Sequence, residues 1–411
     1  MSMAATVEVK GWCPGVLRPM QSGDGLIARV RPWGGAIGLT ELAALADAAE
    51  RFGSGHVDLT RRANLQVRGL SETSLLGLQE VVSALGLADH DARTEAVRNV
   101  MVSPLAGLDP DEKMDVRPMA RALERGLASD PVLYDLPSKF GFVVDGGGAV
   151  SIASERADIA LRAVASGVAM GLDTAAGTRW LGTVATGDAS DVALAAANAF
   201  LRLGAGRRRL RDLDALRFAE LCRGLSEYLS PLGDDTPARP TRPLGVLPLG
   251  GGRWAVGVAA AFGRLEAHQL GDFAALAAAA GATAARTSPW RAFYVEARDL
   301  SAAQRLVAAA RDLCLIVEAN DPILRIDACP GAPACRSASV DARRDARRLS
   351  SLAFAGSIHV SGCAKGCARS AQAELVLVGE CGRYKVIRNG TTRAAAERTI
   401  EVADLEAVFD V

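Results

Sequence analysis

The sequence predicts an α+β fold with a pseudo-two-fold duplication along one chain. Two segments share the order strand, helix, strand, and their internal spacing is similar. In the first segment Leu26 lies 34 positions before Thr60. In the second, Trp254 lies 33 positions before Thr287. A unit that recurs in this way indicates an internal structural repeat. Residues 231–243 are rich in proline, glycine and charge and are predicted to link the two copies.

The first copy is predicted to begin with a strand at residues 25–30. A helix follows, in which apolar residues recur at helical spacing. Thr40 is expected to cap the start of this helix, and Gly53 is expected to end it. A single strand is then predicted over residues 56–69.

The second copy repeats this order in the later part of the chain. Its strand is predicted at residues 253–258, its helix near 270–280 with Gly281 as the stop, and one further strand at 287–295. Other helices are predicted at 113–128, 156–170, 190–203 and 212–228. A hairpin-like segment is predicted at 384–390.

Composition excludes several classes of partner. The chain is 49% hydrophobic and 23% charged with a formal net charge of zero, which is typical of a soluble globular protein. Without a basic excess, we expect neither nucleic acid nor a membrane as partner. No apolar run reaches the length of a membrane span, and residues 1–10 have no apolar stretch of signal-peptide length. We therefore expect a cytoplasmic protein.

Four of the eight cysteines form two short clips near the end of the chain. Cys329 and Cys335 have five residues between them, and Cys363 and Cys367 have three. Four thiolates arranged in this way could hold a tetrahedral metal or an iron–sulfur cube. A zinc ribbon more often has two residues inside each clip, so the spacing favours the cube. The alternative, four buried thiols that act as small apolar groups, gives no reason for the pairing.

These clips, together with residues 368–379, resemble the nitrite and sulfite reductase family. The resemblance implies two ferredoxin-like half-domains, each followed by a larger α/β half. The expected boundaries are 1–85, 86–235, 236–300 and 301–411. It also implies that Cys329, Cys335, Cys363 and Cys367 ligate a [4Fe–4S] cluster, with Cys367 in the position that bridges to sirohaem iron.

Basic residues in three motifs match positions that are catalytic in this family. Arg62 lies in a run that resembles the family's Leu-Thr-x-Arg-Gln strand, and Arg98 precedes Asn-Val. Lys139 matches the first lysine of a Leu-Pro-x-Lys-Phe-Lys motif. The alternative to a catalytic role is that each of them is an ordinary charged residue on the protein surface. Further candidates to bind substrate carboxylates are Arg18, Arg29, Arg68, Arg291, Lys365 and Arg369.

The sequence also departs from the reductase motifs. Gly141 replaces the second lysine, and Ala63 replaces the glutamine after Arg62. Reduction of a small oxyanion needs several convergent cations, so the loss of a lysine counts against nitrite or sulfite as the substrate. In these departures the sequence resembles one branch of the family. Its members use O2 and NADH to hydroxylate precorrin-3A and close a γ-lactone in aerobic cobalamin biosynthesis.

The resemblance implies a second iron beside the cluster, either sirohaem or a mononuclear non-haem iron. A non-haem site usually uses two histidines and a carboxylate, and the weak candidates are His56 with Asp58, and His359. No Gly-x-Gly-x-x-Gly follows a strand, so we expect a partner reductase to deliver the electrons. Two alternatives stay open: a sirohaem-dependent nitrite or sulfite reductase, and an iron–sulfur electron-transfer protein.

Overall fold

The computed structural model describes residues 12–233, 241–352 and 354–409, which form four five-stranded sheets with helices packed against them. The first half-domain comprises β1 (Met20–Ser22), β2 (Gly25–Val30), β3 (Ala36–Gly38), α1 (Leu39–Phe52), β4 (His56–Leu59), β5 (Leu65–Leu70) and α2 (Glu72–Ala84). The α/β half that follows comprises α3 (Ala92–Val97), β6 (Val100–Val102), α4 (Arg117–Ser129), β7 (Phe142–Asp145), β8 (Ile159–Val164), β9 (Gly167–Thr174), β10 (Gly177–Val184), α5 (Ala189–Leu203) and α6 (Ala215–Leu225).

The second half of the chain repeats this organisation. Its half-domain comprises β11 (Gly245–Pro248), β12 (Trp254–Ala259), β13 (Arg264–Glu266), α7 (Ala267–Ala279), β14 (Ala284–Thr287), β15 (Ala292–Ala297) and α8 (Leu300–Asp312). Its α/β half comprises β16 (Ile326–Ala328), α9 (Ala342–Ser350), β17 (Ile358–Ser361), β18 (Ala373–Glu380), β19 (Arg383–Gly390) and β20 (Arg398–Glu401). The predicted α+β duplication is confirmed, whereas the four boundaries given above stay predictions.

The two half-domains exchange one short strand each. The first sheet has the order β1-β2-β5-β4-β13, and the second has the order β11-β12-β15-β14-β3. Strand β13 thus completes the sheet of the first half-domain, and β3 completes the sheet of the second. Helices α1 and α7 pack against each other in one shared core. The exchange joins the two half-domains through both of their sheets.

The two α/β halves have the same strand order and the same strand directions. In the first, β6, β7 and β8 are parallel neighbours and β9 and β10 continue antiparallel. In the second, β16, β17 and β18 are parallel neighbours and β19 and β20 continue antiparallel. The segment at 384–390, predicted to be hairpin-like, forms a single strand, β19, which pairs antiparallel with β18 and β20. Within the described ranges, no helix combines the length and apolar character that a bilayer crossing requires.

Two predicted single strands are each broken by a tight turn, so those predictions were wrong. Between β4 and β5 the Thr60 amide donates to the Asn64 carbonyl, and Ala63 has a φ of 55°. Between β14 and β15 the Ser288 amide donates to the Ala292 carbonyl, and Arg291 has a φ of 67°. In both turns the left-handed residue comes immediately before the residue whose carbonyl accepts this hydrogen bond. Neither alanine nor arginine signals such a conformation in a sequence.

The helix predicted at 156–170 was also wrong, because this alanine-rich stretch forms β8 and the first half of β9. Both strands are buried on both faces, so their side chains do not alternate in polarity. The cap predicted at Thr40 was wrong as well: β3 runs directly into α1, and Gly38 precedes the first helical residue. Gly53 ends α1 as expected. The linker predicted at 231–243 lies largely outside the described residues.

A buried carboxylate joins the first half-domain to the cysteine-bearing half. Asp58 on β4 lies 3.0 Å from Arg264 Nε and 3.2 Å from Arg343 Nη1 of α9. Arg68 Nε is 4.0 Å away on β5. Burial raises the pKa of Asp58, but attraction to Arg343, Arg264 and Arg68 outweighs it and holds that pKa well below its usual range. The ion pairs of Asp58 therefore stabilise the fold at pH values above the ordinary carboxyl pKa. This stabilisation is lost as the pH falls towards the lower pKa that Asp58 has in the folded protein.

We expect Asp58→Asn to lower the free energy of unfolding by about 3–5 kcal/mol, because it leaves three arginines without their shared counter-ion. Urea unfolding followed by circular dichroism measures the change. Asp47→Asn is the matched control: Asp47 forms an exposed ion pair with Arg51 on α1, and its loss should cost about 0.5 kcal/mol or less. Equal losses in the two variants would contradict a special role for Asp58.

Candidate active site

The four clip cysteines converge at one edge of the last sheet. Cys329 follows β16, and Cys363 follows β17, which is its parallel neighbour. The carboxyl ends of parallel neighbours lie at the same edge, and the backbone amide of Gly362 donates to Cys329 Sγ at 3.1 Å. The four thiols interact electrostatically with one another. The sequence spacing therefore does bring the two clips together.

The glycines of the clips allow the close packing that this convergence needs. A Cβ on Gly362 would lie 2.6 Å from the Cβ of Ala338, and Gly331 and Gly366 have φ values of 69° and 64°. Among the described residues, no three histidine, cysteine or acidic side chains come together closely enough to hold one metal ion. A [4Fe–4S] cube is wider than a single ion, so its four thiolates stand farther apart than the ligands of one metal ion.

The four thiols differ in their access to solvent. Cys329 is buried, Cys335 and Cys363 are half-buried, and Cys367 is exposed at the edge of the group. Burial raises the pKa of the Cys329 thiol, because desolvation disfavours the thiolate. Positive charge from bound iron would instead favour the thiolate and lower the pKa. The donor set thus fits an iron–sulfur cluster with one thiolate facing outward.

Three arginines surround the carboxylate of Asp327, two residues before the first clip cysteine. Arg61 Nη1 and Arg369 Nη1 lie 3.0 and 3.1 Å from its Oδ2. Arg291 Nη1 lies 3.1 Å from Oδ1. Arg61 and Arg291 come from the two equivalent turns of the half-domains. The duplication therefore directs positive charge from both copies to the same side of the cysteine clips.

His359 lies on β17 beside Asp327 of β16. Its side chain is fully buried, and within the described residues neither ring nitrogen has a hydrogen-bond partner. Burial lowers the pKa of the imidazole to about 4, so the ring is neutral at pH 7. The other candidates for a non-haem site have different partners. His56 pairs with Glu266 at 3.2 Å, and Asp58 belongs to the arginine cluster described above.

Several predicted substrate-binding residues have other contacts in the structure. Arg68 forms hydrogen bonds of 2.8 Å to Asp24 and of 3.2 Å to the carbonyl of Ala334, in the loop of the first clip. Arg68 thus positions that loop. Arg29 donates to Gln66 Oε1 at 3.1 Å, and the exposed Arg18 lies over the ring of Trp12. Lys365 is exposed beside Cys367.

Of the three residues predicted to be catalytic, the structure brings two together. Arg62 Nη2 donates to the backbone carbonyl of Lys139 at 2.9 Å, and the side chain of Lys139 is exposed. Arg98 is apart from them and almost fully buried. Its guanidinium lies 2.7 Å from Asp89 and stacks 3.6 Å from the ring centre of Trp33. These contacts are those of a structural ion pair, and the catalytic roles stay predictions.

A small pocket lies where the turn that bears Arg62 meets the first α/β half. It is lined by Arg62, Asn64, Asn99, Met101, Gly141, Arg156, Ala157 and Arg209. Arg156 and Arg209 were missed by sequence reasoning, because nothing distinguishes them from the many other arginines of this chain. Asn64 and Asn99 lie within the motifs that contain Arg62 and Arg98.

Comparison with known proteins agrees with this architecture. Residues 18–85 match the family described as "Nitrite/Sulfite reductase ferredoxin-like half domain", and residues 94–263 match "Nitrite and sulphite reductase 4Fe-4S domain". The cysteine clips lie beyond both matched segments. The chain is 36% identical to precorrin-3B synthase of a Sinorhizobium species over 410 residues, which cover 93% of this chain and 83% of that protein.

The chain belongs to the nitrite and sulfite reductase family, in its precorrin-3B synthase branch. It is therefore an enzyme of an oxidoreductase family with an iron–sulfur domain. It is also 25% identical to the ferredoxin sulfite reductase of Mycobacterium tuberculosis over 388 residues, 86% of this chain and 69% of that one. The structure of Mycobacterium tuberculosis NirA matches with a TM-score of 0.74 at 23% identity, over 92% of this chain and 78% of that one.

The ion pair network around Arg98 makes stability depend on pH near neutrality. Glu124 Oε1 lies 3.7 Å from Arg98 Nη1, and burial raises the pKa of Glu124 from its ordinary 4.5 to about 7. The folded state therefore binds a proton that the unfolded state releases. The free energy of unfolding should fall as the pH rises between these two values, with a slope of up to about 1.4 kcal/mol per pH unit from this group.

We expect Glu124→Gln to flatten this slope, which urea unfolding at several pH values between 4.5 and 7 measures. Glu80→Gln on the exposed face of α2 is the matched control and should keep the wild-type slope. If Glu124→Gln and the wild type show the same dependence on pH, Glu124 does not titrate in this window.

Proposed function

We propose that this protein catalyses the reaction for which its relative is named, the oxygen-dependent conversion of precorrin-3A to precorrin-3B. The observation that carries the proposal is the similarity to a precorrin-3B synthase through 93% of this chain and 83% of that one. Gly141, where the reductase motif has a second lysine, supports it. In the reaction one oxygen atom of O2 enters the substrate with closure of the γ-lactone. The other leaves as water, with two electrons supplied by NADH.

We assign the [4Fe–4S] cluster to Cys329, Cys335, Cys363 and Cys367. Such a cluster supplies one-electron transfer, and Cys367 is the outward-facing ligand, as a bridge to a second iron requires. Asp327 connects segments near both clips through its ion pairs with Arg61, Arg291 and Arg369. One carboxylate with three arginines gives this cluster a net charge of +2. Arg68 and its bond to Ala334 support the loop of the first clip.

The substrate is a tetrapyrrole with many carboxylate arms, and the basic residues near the clips suit such a molecule. Arginine binds a carboxylate through two parallel hydrogen bonds, which fixes both position and orientation. Arg62, Arg291, Lys365 and Arg369 all lie on this side of the protein and are the residues that we expect to meet those arms. The neutral, unpaired imidazole of His359 is the candidate ligand if the second iron is non-haem. Sirohaem is the other possibility, and a partner reductase passes electrons from NADH in either case.

Turnover tests the proposal directly. Protein purified without oxygen is mixed with precorrin-3A, O2, NADH and a ferredoxin reductase system, and the tetrapyrrole is analysed by mass spectrometry. We expect a product that is one oxygen atom heavier, and no consumption of nitrite or sulfite by the same preparation. Sirohaem absorption bands together with reduction of nitrite or sulfite, and no change in precorrin-3A, would identify a reductase instead. Binding of the cluster without any turnover would fit an electron carrier.

We expect Cys335→Ser or Cys363→Ser to abolish most of the bound iron and sulfide, because each removes one of four thiolates from the cluster. Chemical analysis of iron and acid-labile sulfide after anaerobic purification measures this. Cys314→Ser is the matched control, since Cys314 is an exposed thiol after α8, and it should keep the full content. Full cluster content in all three variants would mean that the assignment of ligands is wrong.

A further inference from the structure

A buried carboxylate lies close to the first cysteine clip. Asp345 belongs to the first turn of α9, and its side chain is fully buried. The start of this helix packs against the clip. The Ala332 amide donates to the Val340 carbonyl at 2.8 Å, and a Cβ on Gly331 would collide with the backbone nitrogen of Ala342. The packing of α9 on the clip therefore brings the Asp345 carboxylate towards the cysteines.

Tyr384 lies between this carboxylate and a clip cysteine. Its hydroxyl donates to Asp345 Oδ2 at 2.8 Å, and both side chains are buried. Tyr384 and Cys329 belong to one apolar core, and Tyr384 interacts electrostatically with both Asp345 and Cys329. Burial and the charge of Asp345 raise the pKa of the tyrosine hydroxyl, so it keeps its proton and stays a hydrogen-bond donor. Asp345 and Tyr384 thus form a buried polar pair beside Cys329.

Little positive charge compensates Asp345. Within the described ranges its ion pair is with Arg344, whose Nε lies 3.5 Å away and whose side chain is 66% exposed. Water screens so exposed a cation. Asp327, in contrast, has three arginines within 3.1 Å. The pair beside Cys329 therefore leaves an excess of negative charge in the core, on the side of the clip that faces α9.

We propose that the Asp345–Tyr384 pair sets the reduction potential of the cluster held by the clips: Asp345 lowers the potential, and the Tyr384 hydroxyl partly offsets this effect. The inference rests on the cluster assignment made under the proposed function. Reduction adds one electron from the donor to the cluster. A negative charge buried nearby disfavours that step, because low-dielectric surroundings screen it weakly. The hydroxyl dipole that is directed at the carboxylate weakens its field.

A redox titration of the anaerobically purified full-length protein tests the proposal, with the electron paramagnetic resonance signal of the reduced cluster as the readout at pH 8. We expect Asp345→Asn, which removes the charge and keeps the shape, to raise the potential and favour reduction at least about threefold. Tyr384→Phe removes the donor and should lower the potential. Asp345→Glu keeps the charge and should stay closer to the wild type than Asp345→Asn.

Glu401→Gln serves as the comparison for the loss of one carboxylate from the same half. Glu401 lies on the edge strand β20, and its side chain is 56% exposed. Solvent and salt screen its charge, so the equilibrium for reduction should change less than about 1.5-fold. Iron and acid-labile sulfide analysis shows which variants hold a complete cluster. If Asp345→Asn does not, the direction of the shift in Tyr384→Phe decides.

The outcomes separate this inference from the proposed function. Potentials equal to that of the wild type in Asp345→Asn and Tyr384→Phe, or shifts of both in the same direction, would overturn the inference and leave the cluster assignment in place. A wild type that binds neither iron nor sulfide would overturn the assignment and this inference with it. Because no precorrin-3A is present in the titration, its result does not depend on the identity of the substrate.

Discussion

The structure depends on two carboxylates, one buried and one half-buried, that each hold arginines from separate parts of the chain. Asp58 is contacted from β5, β13 and α9, and Asp327 is contacted from both half-domain turns and from the segment after the second clip. Moving a carboxylate out of water is costly unless several cations surround it. Each of these carboxylates is therefore stabilised only when the separate parts of the chain have assembled around it. They connect the exchanged sheets to the half that bears the clips, and the site forms along that junction.

The duplication explains how one side of the molecule comes to be cationic. The two turns after β4 and β14 have the same hydrogen bonding and the same left-handed residue, yet they carry different side chains to the site. The first turn contributes Arg61 and Arg62, and the second contributes Arg291, whose own backbone is the left-handed position. Only one of the two α/β halves has cysteine clips. The other half contacts the turn that bears Arg62, through Lys139 and Gly141.

The cysteine clips and the repeat could be predicted because each is a local pattern with a strict spacing. The turns within residues 56–69 and 287–295 could not, since their left-handed residues are alanine and arginine rather than glycine. The helix expected at 156–170 failed because a strand buried on both faces and a buried helix share the same apolar, alanine-rich composition. Arg209 and Asp158 lie 51 positions apart, and only the folded chain shows that this pair holds Gly141. Arg98 matched a motif, but its contacts with Asp89 and Trp33 depend on residues that no motif includes.

The origin of the oxygen atom in the product tests the central claim most directly. Anaerobically purified protein with precorrin-3A, NADH and a reductase is exposed to ¹⁸O2, and the tetrapyrrole is analysed by mass spectrometry. The account predicts one labelled oxygen atom in each product molecule, incorporated only when the four clip cysteines are intact. A product without label, or a protein that leaves precorrin-3A unchanged while it reduces nitrite or sulfite, would contradict it.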